Sequence, residues 1–126
     1  MPNSQQQLHR FWKGRVTISD AKTIDIIATQ PGSDLVKLVI ADHLPWEDVH
    51  AHSHVLQAKI NTYIAFVESG QLQRVKEPPI PDSPRVCIAL AALHTPPAAA
   101  QEFLGRVKAF LASQGIQFDL DVHRTT

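Results

Sequence analysis

The stretch Val86-Cys87-Ile88-Ala89-Leu90-Ala91-Ala92-Leu93 decides the fold. It holds no polar side chain, and prolines lie close on both sides of it. A run of eight bounded in this way reads as a strand rather than a helix. Side chains alternate between the two faces of a strand, and here both alternate sets are apolar. Both faces therefore call for cover, which is the pattern of an inner strand.

On the N-terminal side of this strand, Gln71 to Pro84 reads as a loop. Pro78, Pro79, Pro81 and Pro84 keep that loop extended and out of a central sheet position. After the strand, Thr95 is expected to cap a helix whose first turn holds Pro96 and Pro97. Phe103, Leu104, Val107, Phe110 and Leu111 make its inner stripe, and Gly115 ends it. Ile116 to His123 then alternates, with Ile116, Phe118, Leu120 and Val122 expected to face inward.

Upstream of the loop, Val49, Leu56, Ile60, Tyr63, Ile64 and Val67 recur at three- and four-residue steps. This is an amphipathic helix, with Asp48 as its N-cap and Gly70 at its left-handed end. Before it, Thr23 to Thr29 and Leu35 to Ala41 are rich in β-branched residues. The turn Pro31-Gly32-Ser33-Asp34 joins them as an antiparallel hairpin. The order is β-β-α-β-α-β. The expected fold is α+β: a mixed four-stranded sheet with two helices packed on one face. Residues 1–15 are expected to form a polar tail with a short apolar segment (Leu8, Phe11, Trp12), and residues 16–126 one domain.

Composition narrows the function classes. The 126 residues are 44% hydrophobic and 19% charged, with 12 basic and 12 acidic side chains. Zero net charge argues against general nucleic-acid binding and electrostatic membrane docking. Cys87 is the only cysteine, so no internal disulfide forms. With no signal peptide and no run near the ~20 residues of a membrane span, a cytoplasmic protein is expected.

The run Asp42-His43-Leu44-Pro45-Trp46, followed by Leu56-Gln57-Ala58-Lys59-Ile60-Asn61-Thr62-Tyr63-Ile64-Ala65-Phe66-Val67-Glu68-Ser69-Gly70, resembles an uncharacterised bacterial family. Its pattern is close to D-H-L-x-W, then L-Q-E-K-[IL]-N-x-Y-[IL]-x-F-[IV]-E-S-G. Ile24-Asp25 and Pro96-Pro97 match as well, and the resemblance spans roughly Val16 to Val122. It departs at Ala58, where Glu is usual. The resemblance implies a fold and a bacterial origin, and no activity.

The chemistry-bearing candidates are few. His50 and His54 share a helix face at i,i+4 spacing, which can chelate zinc. His43 and Asp42 just upstream could complete a ligand set; solvated imidazoles at a polar helix start are the plainer reading. His52 lies nearer the apolar stripe and is expected to be partly buried. Ser53 has no base facing it, and burial would make the Cys87 thiol inert. Asp25 needs water or a partner: either a capped or exposed position near the strand tip, or a pocket with Asp42 or His43. No glycine-rich nucleotide cradle is present.

Trp46 is expected to anchor the long helix. Tyr63 and Phe66 point to different sides of it, and Asn61 lies on its polar face. These four residues are the candidate contacts for a partner. Two function classes follow. The favoured one is a non-catalytic interaction protein, a homodimer or the partner of another protein: two helices on one side cannot cover both faces of the strand at 86–93, so the other face needs a second subunit or the N-terminal segment. A narrower version is an immunity-type protein that neutralises a bacterial partner. The other class is a metal-binding protein or hydrolase using Asp42, His43, His50 and His54, with zinc as its cofactor; the first class needs none.

Overall fold

The computed structural model describes residues 18–122. The expected apolar turn at Leu8, Phe11 and Trp12 and the end of the last strand at His123 lie outside them. The elements are β1 (Ile26–Thr29), β2 (Leu35–Asp42), α1 (Val49–Glu68), a short 3-10 turn (Gln71–Arg74), β3 (Arg85–Ala92), α2 (Ala98–Ser113) and β4 (Gln117–Val122). The strands stand in the order β1-β2-β3-β4. β1 is antiparallel to β2, and β2, β3 and β4 run parallel. Thus β3 is an inner strand, as its doubly apolar pattern requires.

Two successive crossovers step across the sheet in the same direction, so both helices land on the same side. One core holds them against the sheet. Leu56, Ile60 and Tyr63 of α1 and Leu104, Val107 and Leu111 of α2 meet Val36, Leu38 and Ile40 of β2 and Ile88 and Leu90 of β3. The register puts Leu38 beside Ile88 and Phe118, and Ile40 beside Leu90 and Leu120, so these rows share the helix-covered face.

The termini of α1 follow local chemistry. Asp48 Oδ1 accepts from Ala51 N at 3.0 Å and caps the helix. Gly70 takes φ +84° just beyond its end, a backbone region that a residue with Cβ rarely enters.

Three local expectations are corrected or refined. Thr95 is not the N-cap of α2, and Pro96-Pro97 do not fill its first turn. The helix begins at Ala98, with Pro97 in extended conformation at the cap position. A residue that precedes proline is pushed out of helical geometry, so the tandem prolines delay the start. Leu120 faces the helix side as expected but is 40% exposed, because it belongs to an edge strand that the helices overlap only in part. Finally, β1 starts at Ile26 rather than Thr23. The backbone groups just before it are taken by side chains of α1.

Candidate functional site

Two buried polar clusters join α1 to the sheet. In the first, Lys59 and Asp25 form an ion pair of 2.7 Å, both side chains fully buried. Lys59 Nζ also donates to the carbonyls of Asp20 (2.5 Å) and Thr23 (2.6 Å). All three ammonium protons thus have acceptors. Asp25 Oδ2 accepts from Ala41 N at 2.9 Å. Tyr63 OH accepts from Asp25 N at 2.8 Å and donates to Val39 O at 2.6 Å. Thr62 Oγ1 donates to Ala21 O at 2.5 Å. The segment entering β1 is therefore fastened by side chains where a strand ladder would otherwise be expected.

Burial raises the Asp25 carboxyl above its ordinary range, while the Lys59 and Ala41 donors pull it back down. Burial also raises the Tyr63 phenol, and the Asp25 carboxylate beside it adds to the effect. Tyr63 stays a neutral hydroxyl that both donates and accepts. Desolvating an ion pair is costly, and here the cost is offset by complete hydrogen bonding on both partners.

The exposed position and the pocket with Asp42 or His43 are corrected for Asp25. It is buried just before β1 and satisfied by the Ala41 amide and by its partner Lys59. The signal lay in the helix spacing. Lys59 stands three residues after Leu56 and four before Tyr63, on the apolar stripe itself. A cation on a core-facing stripe requires an anion, and Asp25 between two isoleucines required a cation.

In the second cluster, His52 Nε2 lies 2.6 Å from Asp42 Oδ2, and His52 Nδ1 lies 3.2 Å from Pro45 O. Asp42 Oδ1 accepts from Leu44 N at 3.1 Å. The His52 ring stacks on Trp46, with centroids 3.5 Å apart. Both ring nitrogens are engaged and both carboxylate oxygens are used. The cluster pins the loop between β2 and α1 and points both ring nitrogens of His52 at oxygen atoms of the chain itself. Trp46 Nε1 is buried with no acceptor among the described residues.

The four residues considered as metal ligands are not brought together. Asp42 is buried against His52, whereas His43, His50 and His54 are not part of that cluster, and His43 and His54 are exposed. Among the described residues no three of His, Cys, Asp or Glu are grouped so as to hold a metal ion. Of the four candidate contact residues, Tyr63 is fully buried within the chain and bonded to backbone. Trp46 and Phe66 are partly buried against the core. Asn61 is exposed and accepts from Gln57 at 2.9 Å.

The sheet face opposite the helices has a different character. Its rows follow from the register: Ala28, Lys37, Cys87 and Gln117 in one, and Ile26, Val39, Ala89 and Asp119 in the next. Ala41, Ala91 and Asp121 make a third. The small side chains of β3 sit low between taller neighbours. A depression of about 450 Å³, lined on this face by Lys37, Val39, Ala89, Ala91, Asp119 and Asp121, reaches round the β4 edge to Phe118 and Leu120 and to Lys108 of α2. Cys87 lies in the adjoining row, fully buried. Burial pushes the thiol up to about 11, helped by the adjacent Asp119 carboxylate, so the sulfur is a poor nucleophile.

The fold and these clusters define a small α+β domain of ββαβαβ order whose buried polar groups serve its own scaffold. The chain belongs to the family of unknown function DUF6572, whose family model matches residues 16–124. No curated protein and no solved structure matches it. Among the described residues no helix is long and apolar enough to cross a membrane.

Proposed function

We propose that this protein is a non-catalytic association module that pairs with a second copy of itself through the sheet face opposite the helices. One observation carries the reading: neither α1 nor α2 lies on that face, and its centre is apolar. Ile26 is 37% exposed there, beside Val39, Ala41 and Ala91. Among the described residues no helix covers this face, and the apolar side chains still open on it gain stability by burial against another layer. The polar clusters add support, because Asp25, Lys59, Tyr63, Asp42 and His52 spend their hydrogen-bonding capacity inside the chain. The lone, buried Cys87 suits a reducing cytoplasm, and the motif resemblance suits a bacterial source.

Light scattering across a concentration series tests this, with Ile26→Lys as the variant. A lysine on an edge strand is well tolerated by the fold. The wild-type chain should be dimeric at micromolar concentration, and Ile26→Lys monomeric with nearly unchanged thermal unfolding of the subunit. A wild-type chain that stays monomeric throughout overturns the proposal.

A further inference from the structure

The open face carries a charge pattern that specifies how two copies meet. Lys37 on β2 and Asp119 on β4 both project from it. Among the described residues neither makes an ion pair; the four ion pairs involve other side chains, and Asp119 accepts from the neutral Gln117 amide, at 3.3 and 3.5 Å. Their positions relative to the centre of the face set the geometry. That centre lies between Val39 and Ala89, which are register partners.

From it, Lys37 lies two residues along its strand, about 7 Å at ~3.3 Å per residue. Asp119 lies one and a half strand spacings to the side, also about 7 Å at ~4.8 Å per spacing. The two charges are thus equally far from the centre in nearly perpendicular directions. A half-turn about the diagonal between those directions exchanges them. It sets Lys37 of each copy over Asp119 of the other, twice. Sheets in face-to-face contact stack about 10 Å apart, a gap that a lysine and an aspartate together can span.

The same operation lowers Ile26 of each copy between Ala41 and Ala91 of the other, where the small side chains leave room. Strands of the two sheets then cross near a right angle, one of the two preferred ways for sheets to pack. The aligned alternatives are worse. One lays β4 over β4 and brings Asp119 toward its own copy; the other buries Asp119 over Ile26. Pairing β4 edge to edge would gather Asp119 and Asp121 of both chains, and like charges there oppose it.

We infer that the protein forms an isologous dimer of crossed sheets, held in register by two reciprocal Lys37–Asp119 pairs around a contact of Ile26 with Ala41 and Ala91. This rests on the association proposed above and adds its geometry.

The test uses the full chain and two charge reversals, Lys37→Glu and Asp119→Lys, followed by sedimentation at low ionic strength and native mass spectrometry. Each single variant places like charges opposite one another, so its dimerisation should weaken by about tenfold or more. Mixing the two variants should restore a dimer, with mixed species prevailing. In the mixed pair the introduced glutamate faces the introduced lysine, and the unchanged Lys37 of one chain faces the unchanged Asp119 of the other. A pair formed within one chain could not produce that rescue. If the wild-type chain dimerises but both single variants do so equally well, or their mixture gives no preferred mixed dimer, the crossed register is overturned and the association stands. A monomeric wild-type chain overturns both.

Discussion

The two faces of one sheet show what a side chain costs to bury and what it gains from being left outside. On the helix side, even a lysine is fully enclosed, because Asp25 and two carbonyls receive its three protons. On the other side, Lys37 and Asp119 stand on the same face without meeting, and the apolar centre between them is shallow. The first face is complete within one chain. In the association proposed above, the second finds its complement in its own rotated image. Polarity alone does not separate a structural residue from one available to a partner; burial and an opposite charge within the same chain do.

The contrast is sharpest at Lys59. Lys59→Ala leaves a buried carboxylate without its cation and should destabilise the subunit by about 3–5 kcal/mol. Chemical denaturation measures it, and adding Asp25→Asn should recover part of the loss by removing the stranded charge. A loss below about 1 kcal/mol would mean that the cluster does not carry the packing of α1. Tyr63→Phe is a gentler cut. It removes one hydroxyl and strands the Asp25 amide and the Val39 carbonyl, for about 2 kcal/mol in the same measurement.

The smallest effect belongs to the open face. Val39→Ala should cost the isolated subunit less than about 1 kcal/mol, since little of its surroundings collapses. Yet it should weaken self-association measurably in light scattering. Equal losses for Val39→Ala and Tyr63→Phe in subunit stability would erase the distinction between the faces.

Much of this architecture was legible in the chain. The doubly apolar run at 86–93 marked the inner strand. Asp48 and Gly70 marked the ends of α1, because capping chemistry is local and depends on near neighbours. The candidate site was less legible. Lys59 was visible as a cation on an apolar stripe, but its partner lies 34 residues away. The histidines at positions 50, 52 and 54 look alike as a series; only the approach of Asp42 and the stacking of Trp46 single out His52. Thr95 failed as a cap because the conformational limits of two following prolines outweighed its hydroxyl.

By itself the sequence determined the elements and their order, since periodicity, capping residues and prolines act over a few positions along the chain. The tertiary structure alone decided which polar groups are consumed inside and which face the outside. That choice depends on contacts between residues far apart in the chain, and hydrogen bonds form only where three-dimensional register brings a donor within about 3 Å of an acceptor.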